Sequence, residues 1–207
     1  MQTIFYNRWY VNIGYMTLTP DEKHYNGMRL AQKLYNFGWT ENCIAGILGN
    51  VDPESSLTPG AIESSPWTDL PSNQEVLASN FNRGMGFVQW TPGRINLVQW
   101  AEDNNMVWYD GTTQVKRLKW ESENDYYDLF SWYTKTGLDP ADSAELFLHA
   151  YERPGSHEDP AVIAIRRQMG VYWYDQIHGK LVSPMKRMMI SQNNRKRKEL
   201  KRLCRRI

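Results

Sequence analysis

Helix-start signals constrain this 207-residue chain more than any other feature of its sequence. At four places a residue that can cap a helix is followed by proline, each time ahead of a helical pattern. Proline suits the first helical position because the backbone N–H that it lacks would have no partner there. The pattern predicts a mainly α-helical chain, with starts at Thr19-Pro20, Thr91-Pro92, Asp139-Pro140 and Asp159-Pro160.

Apolar residues at helical spacing extend these starts into six predicted helices. Thr19 and Glu22 form a capping box for the first helix, and Gly38 stops it. The second begins after Thr40 and is expected to fray or turn near Gly49-Asn50. The predicted helices cover residues 20–37, 41 to about 50, 93–101, 114–135, 140–151 and 160–178.

The remaining segments read differently. Residues 55–87 are rich in Ser, Pro, Gly and Asn, which favours loops or a small irregular hairpin over a packed helix. Residues 1–18 form an aromatic segment, read as a strand that could dock on a partner. The sequence thus predicts a mainly α (α+β) fold, in which a helical domain at 19–180 carries a small loop or β insertion as one wall of a cleft.

Charge separates the C-terminal end from the rest of the chain. Residues 186–207 hold ten of the 24 Lys and Arg but one of the 23 Asp and Glu, so this tail carries a net charge of +9 and the remainder −8. The tail at 181–207 is interpreted as a solvated end or a basic amphipathic helix that docks on an anionic surface. A nucleic-acid partner is disfavoured because the body is acidic.

Several classes of protein are excluded or disfavoured. No run of about 18 apolar residues is present, so no membrane span is expected. The N-terminus lacks the basic start and continuous apolar run of a signal peptide. Cys43 and Cys204 form no disulfide framework, and the four histidines show no metal-ligand spacing, so no metal or other cofactor is expected.

The candidate chemistry lies on either side of the insertion. Glu54 follows the second, buried helix, and the Gly84–Gly93 segment on the other side brings Gln89 and Trp90 to a helix start. A carboxyl group beside apolar and aromatic surface loses hydration when it ionises, so it holds its proton more readily. Such an acid next to an aromatic groove is what cleavage of a glycosidic bond requires.

Three motifs resemble those of the lysozyme-like domain of phage tail-associated cell-wall hydrolases, a family distantly similar to goose-type lysozymes and soluble lytic transglycosylases. The resemblance covers about residues 20–178 and includes the run at 39–50. The relatives share a Glu-Ser at a helix end, a Gly-x-x-Gln element and a later helix carrying a Tyr. Here these would be Glu54-Ser55, Gly86-Phe87-Val88-Gln89 and the Tyr151 region, His149-Ala150-Tyr151-Glu152-Arg153-Pro154.

The resemblance implies a lysozyme-like fold and a role for each matching residue. Glu54 would be the general acid, and Gln89 would line the cleft and bind a substrate N-acetyl or hydroxyl group. Tyr151 would approach Glu54 from the opposite wall and orient it. Trp90 and Ser55 are further substrate-binding candidates, although Ser55 can equally buttress the loop. Without the family, Gln89 reads as a helix-entry residue and Tyr151 as a core aromatic.

A second carboxylate is not defined by the sequence. Four acids lie in or near the insertion, and Asp69 is the marginal choice because it follows Trp67 closely; the others are Asp52, Glu63 and Glu75. If none serves, an inverting route or an intramolecular route to a 1,6-anhydro product remains open. Muramidase and lytic transglycosylase are therefore both retained.

The implied function is hydrolysis of the β-1,4 bond between N-acetylmuramic acid and N-acetylglucosamine in bacterial peptidoglycan. The protein would be carried in a phage virion, or held in the host cytoplasm before release, and would contact phage tail or capsid proteins through residues 1–18 or the basic tail. The alternative is a structural component of the tail or particle that keeps the lysozyme-like fold and binds glycan without cleaving it.

Overall fold

The computed structural model describes residues 3–13, 18–186, 188 and 189, and confirms a mainly helical fold. One antiparallel hairpin, β1 (Ile4–Tyr6) and β2 (Trp9–Val11), precedes the helices. They are α1 (Pro20–Tyr35), α2 (Glu41–Ser55), α3 (Asn73–Ala78), the π-helix π1 (Arg94–Gln99) continued by α4 (Trp100–Asp103), α5 (Gly111–Glu123), α6 (Tyr127–Tyr133), α7 (Pro140–Phe147) continued by the π-helix π2 (Leu148–Glu152), and α8 (Pro160–Ile177). None of the described helices is both long and apolar enough to cross a bilayer.

The capping predictions hold at three of the four proline starts. Thr19 forms its capping box with Glu22, and the carboxylates of Asp139 and Asp159 accept backbone N–H groups at the starts of α7 and α8. Thr91 is not a cap: helical structure begins after Gly93, and the Thr91 hydroxyl donates to the Gln89 carbonyl. The Thr91 hydroxyl thus stabilises the loop that precedes the helix and does not cap the helix itself.

Helix α2 is the centre of the core, and the expected break near Gly49-Asn50 is wrong. Every residue from 43 to 52 is buried, and the helix continues through Pro53 to Ser55. A Cβ atom at Gly49 would lie 2.7 Å from the backbone nitrogen of Gly170 in α8, so glycine here permits close helix packing and does not end the helix.

The predicted helix at 114–135 is two helices. The backbone turns at Asn124, whose side chain donates to the Trp120 carbonyl at 2.7 Å and competes with regular helical bonding. The Tyr126 N–H donates to the Glu121 carbonyl at 2.9 Å, and α6 starts at Tyr127. The helices predicted at 140–151 and 160–178 correspond to α7 with π2 and to α8.

The insertion is largely irregular, as predicted, but it contains one short helix that its Ser-, Pro-, Gly- and Asn-rich composition did not indicate. Helix α3 has a capping box in which Ser72 and Glu75 satisfy each other's backbone N–H groups. Two isolated bridges, Ile62 to Met85 and Met85 to Trp90, connect the beginning and the end of the insertion. The insertion therefore returns to its starting point beside the C-terminal end of α2.

The N-terminal hairpin packs on the helical body. Trp9 is fully buried, and a Cβ atom at Gly111 would lie 2.5 Å from its ring. The Asn26 side chain pairs with the backbone N–H and carbonyl of Tyr10 at 3.0 and 2.7 Å. Phe5 remains 58% exposed, so one face of the hairpin is open to solvent. The expected role of residues 1–18 in docking stays a prediction, and most of the basic tail lies outside the described residues.

Candidate active site

A cleft of about 700 Å³ lies between the C-terminal end of α2, the end of the insertion, α5 and π2. Four of the six residues assigned to the site from the sequence line it together: Glu54, Gln89, Trp90 and Tyr151. The other lining residues are Pro53, Glu63, Val88, Thr91, Asn96, Glu121, Tyr126, Glu152, Arg153, Pro154 and Gly155.

Glu54 lies in the last turn of α2 with its side chain 20% exposed. Its Oε1 atom accepts a hydrogen bond from Nη2 of Arg166 in α8, a cation that the sequence motifs did not indicate. Arg166 is almost fully buried and also donates to the Asn50 carbonyl at 2.9 Å. One guanidinium thus joins α8 to the end of α2 and fixes the direction of the Glu54 side chain.

Two consecutive left-handed residues end α2 directly after the turn that contains Glu54. Ser56 has φ 52° and Leu57 has φ 58°, so the chain leaves the helix abruptly after Ser55. This conformation is uncommon for residues with a Cβ atom and requires support from packing. Leu57 supplies it, because its side chain is fully buried and its carbonyl accepts from Asn26 at 2.9 Å.

Tyr151 does not orient Glu54 as expected. Its hydroxyl donates to Oε2 of Glu121, a buried acid in α5 that was not among the candidate residues. Trp90 Nε1 donates to the same carboxylate at 2.9 Å, and Arg117 forms an ion pair with it at 2.8 Å. Glu121 thus holds two walls of the cleft together, and its only sequence signal is the i,i+4 spacing from Arg117 on a helix.

The electrostatics of this network follow from its burial. Burial raises the pKa of Glu121, opposed by the Arg117 cation and by the donors Tyr151 and Trp90. Burial also raises the pKa of Tyr151 well above its ordinary range, and the adjacent Glu121 charge adds to this effect. Tyr151 therefore acts as a hydrogen-bond donor.

Glu152 is a further acid that lines the cleft, next to Tyr151 in the chain. Its Oε1 atom is fully buried and has no hydrogen-bond partner among the described residues. Burial raises the pKa of Glu152 well above its ordinary range, the nearby Glu54 charge raises it further, and Arg166 opposes the shift. Glu152 is thus a carboxyl group that tends to keep its proton. Arg153, with φ 41°, ends π2 immediately after it.

The Gly-x-x-Gln element forms a tight loop on the cleft wall. Gly86 has φ 78°, and a Cβ atom there would lie 2.8 Å from the side-chain oxygen of Gln114. Gln114 accepts from the Phe87 N–H at 2.8 Å, and Gln89 donates to the Gly86 carbonyl at 2.6 Å. Gln89 is placed in the cleft by its own loop, where its side chain both stabilises the turn and faces the cavity.

Two sequence candidates do not reach the cleft. Ser55 is fully buried and donates to the Val51 carbonyl at 3.0 Å, so it cannot contact a ligand here and instead buttresses the end of α2. Asp69 is exposed on the insertion and is not a lining residue of the cleft. Among the four acids weighed as a second carboxylate, Glu63 is the one that lines the cavity, with Oε2 accepting from the Gly84 N–H at 3.1 Å.

The two remaining acids of that set have structural roles. Asp52 is buried, pairs with Lys23 and accepts from Trp173 Nε1 at 3.0 Å. This arrangement connects α2 to α1 and α8. Glu75 caps α3, and the backbone N–H of Ser72 lowers the pKa of its carboxyl group. Neither side chain lines the cleft.

A mainly helical domain with an acid at the end of its central buried helix, facing an irregular insertion across a cleft, is a lysozyme-like fold. The chain belongs to the phage tail lysozyme family, whose model matches residues 26–177. It is similar to Morphogenesis protein 1 of Bacillus phage B103, with 31% identity over 169 residues. That alignment covers 79% of this chain and 42% of the relative, so the chain spans about two fifths of the relative's length.

Proposed function

We propose that this chain is a peptidoglycan hydrolase that cleaves the β-1,4 bond between N-acetylmuramic acid and N-acetylglucosamine, with Glu54 as the general acid. The observation that carries the proposal is the position of Glu54, a half-buried carboxyl group open to a cleft of about 700 Å³ with Gln89 and Trp90 on its wall. A cavity of this size accommodates sugar rings, and polar and aromatic walls suit their edges and faces.

The contacts of Glu54 support its assignment as the reacting acid. Arg166 donates a hydrogen bond to Glu54 Oε1 and so fixes the direction of the side chain, which lines the cleft. The neighbouring acid, Glu152, has a pKa that burial raises well above its ordinary range, so it tends to stay neutral beside Glu54. Glu54 is therefore the acid that is both directed by a cation and placed to reach a glycosidic oxygen.

We propose Glu63 as the second carboxylate in place of Asp69. Glu63 lies on the insertion wall of the same cleft, and the Gly84 N–H and Arg83 side chain hold its two oxygens at 3.1 and 3.4 Å. Such an acid can activate water or stabilise positive charge at the sugar ring. The alternative is the intramolecular route in which the substrate's own hydroxyl gives a 1,6-anhydro product.

The test is release of soluble fragments from purified peptidoglycan, followed by mass spectrometry. Glu54→Gln should lower the rate by about 10²–10⁴-fold, since it removes the proton donor, with an unchanged circular dichroism spectrum. Asp69→Asn is the matched control and should retain wild-type activity. Full activity of Glu54→Gln would exclude Glu54 as the general acid. A reducing end in the fragments indicates hydrolysis, and an anhydro end indicates transglycosylation.

The alternative function is glycan binding by a structural component of the phage particle. The name of the B103 relative, a morphogenesis protein, favours it. On this alternative, wild-type protein would co-sediment with peptidoglycan from several hosts without releasing fragments. Immunoblotting of purified virions would test the proposed presence in the particle, where this protein would contact other phage proteins.

A further inference from the structure

A cluster of imidazole and carboxylate groups lies beside the cleft, at the junction of π2 and the segment leading to α8. His149 belongs to π2, and His157 and Glu158 lie just before the start of α8. One ligand atom from each of these three residues lies within 4.8 Å of the other two. Imidazole and carboxylate groups are among the protein ligands of zinc, so the cluster has the donor set of a three-residue site.

His157 is held in the tautomer that a metal ligand needs. Its Nδ1 atom lies 2.6 Å from the Pro154 carbonyl oxygen, which can only accept, so Nδ1 carries the hydrogen. Nε2 then presents its lone pair, and it faces Oε1 of Glu158 at 3.4 Å. A backbone carbonyl that fixes the ring from its far side is the usual outer partner of a metal-binding histidine.

His149 has a carboxylate on each side of its ring. Its Nδ1 atom faces the same Glu158 oxygen at 3.8 Å, and its Nε2 atom faces a Glu145 carboxylate oxygen at 3.9 Å. Glu145 is itself fixed by an ion pair with Arg167. Both distances are longer than a hydrogen bond, so His149 belongs to the cluster by the position of its ring and not by a fixed tautomer.

We propose that His149, His157 and Glu158 bind a divalent transition-metal ion, with Zn²⁺ as the natural occupant. Tetrahedral bonds of about 2.0–2.1 Å require ligand atoms closer together than 4.8 Å, so the side chains must approach slightly on binding. Glu158 is 80% exposed and can move at little cost. Three protein ligands leave the fourth position for water, and the imidazole pair disfavours Ca²⁺ and Mg²⁺.

The consequence for the fold is a bridge across the segment that forms one cleft wall. Arg153, Pro154 and Gly155 line the cleft, and they lie in the chain between His149 and His157. A metal that joins the two histidines closes this segment into a short loop and restricts its motion. Zinc would thereby order the cleft wall that directly follows Glu152 in the chain, without itself contacting the carboxyl groups of the active site.

Equilibrium binding of Zn²⁺ to the full-length chain, in competition with a chromophoric chelator, tests the proposal. The wild type should bind one Zn²⁺ through this cluster, and His149→Ala and His157→Ala should each weaken binding by more than about tenfold. Glu158→Gln should also weaken binding, and its exposure ensures that the fold survives. Co²⁺ bound to the wild type should show the visible absorption of a tetrahedral complex.

Two control variants make the outcome specific. His178→Ala removes a histidine paired with Glu41 at 2.8 Å, outside the cluster, and should bind Zn²⁺ as the wild type does. Cys204→Ser removes the thiol of the basic tail as a competing ligand. The proposal is overturned if the wild type shows no saturable binding, or if the two cluster histidine variants bind as tightly as His178→Ala. Neither result depends on whether the chain cleaves peptidoglycan.

Discussion

Replacing Gly49 with alanine tests the close packing of α2 against α8 and its connection to the active site. A Cβ atom at Gly49 would lie 2.7 Å from the backbone nitrogen of Gly170, 2.9 Å from its Cα atom and 3.0 Å from the Arg166 carbonyl oxygen. All three are backbone atoms of α8, which cannot move aside as a flexible side chain can. The variant must therefore push the two helices apart.

The size of the effect follows from two opposing terms. Ordinary contact between these atoms is about 3.5 Å, so α8 must shift by roughly 0.5–1 Å, and such overpacking costs about 1–3 kcal/mol. Alanine gains about 1 kcal/mol over glycine in a helix interior. The expected net loss is therefore up to about 2 kcal/mol in the free energy of unfolding. In a chain of this size each kcal/mol lowers Tm by about 2–4 °C.

The assay is chemical and thermal unfolding followed by circular dichroism, with Gly137→Ala as the matched control. A Cβ atom at Gly137 meets nothing within 4 Å, so that variant should be neutral or slightly more stable than the wild type. If Gly49→Ala is as stable as Gly137→Ala, the close approach of α2 and α8 is not as the structure has it.

Activity should report the same displacement. Arg166 lies one helical turn before Gly170 and holds the Glu54 side chain, so a shift of α8 moves the proposed acid. Misplacement of a reacting group by about 1 Å can cost about 10²-fold in rate. Gly49→Ala should therefore lose more activity at 25 °C, where it is still folded, than its unfolded fraction accounts for.

Two further substitutions test the buried acids of the cleft. Glu121→Leu leaves an arginine, an indole and a hydroxyl donor without their acceptor, so it should lower the free energy of unfolding in urea by about 3–5 kcal/mol. The control Glu123→Leu removes an exposed ion pair on the same helix and should cost less than about 1 kcal/mol. Equal losses in the two variants would contradict the network around Glu121. Because the pKa of Glu152 is raised in the folded state, the stability of the wild type should fall as the pH rises from the ordinary pKa of a glutamate through that raised pKa. Glu152→Gln cannot ionise, so it should be more stable than the wild type at neutral pH but not at pH 4. A difference in stability that does not change with pH would contradict the burial of Glu152.

The helix starts were predictable because their causes are local. Thr19, Thr40, Asp139 and Asp159 each accept a backbone N–H two or three residues ahead, an interaction that needs no tertiary context. Glu54 was found for a different reason, since the order and spacing of three motifs match a family pattern. Local chemistry and family resemblance together placed four residues in one cleft.

The errors concern residues whose environment comes from distant parts of the chain. Gly49 and Asn50 have low helix preference, but α2 continues because Gly49 fits against Gly170 and Asn50 donates to the Ala144 carbonyl at 2.8 Å. The sequence motif predicts that Ser55 contacts a ligand, but because α2 continues to this residue its side chain lies in the core. Packing that joins positions about 100 residues apart has no signature in local composition.

Glu121 shows the same limitation at the active site. Its partner Trp90 lies 31 residues before it in the sequence, and its partner Tyr151 lies 30 residues after it. Neither separation corresponds to the period of a helix or a strand. Glu121 lies in the last turn of α5, before the turn at Asn124 that separates α5 from α6, and it lines the cleft. The sequence predicted a single helix over 114–135 and did not single out Glu121.

Two of the carboxyl groups that line the cleft, Glu54 and Glu152, lie beside the same arginine, and this arrangement links the structure of the cleft to its proposed chemistry. Arg117 is committed to Glu121, whose remaining donors Trp90 and Tyr151 shape the walls. Arg166 is left to serve both Glu54 and Glu152. The two acids are held differently. Arg166 hydrogen-bonds Glu54 and fixes its direction, whereas burial raises the pKa of Glu152 well above its ordinary range, so Glu152 tends to keep its proton. The proposed acid is thus directed by a cation and does not face the repulsion of a second carboxylate, which leaves it placed to act on a glycosidic oxygen.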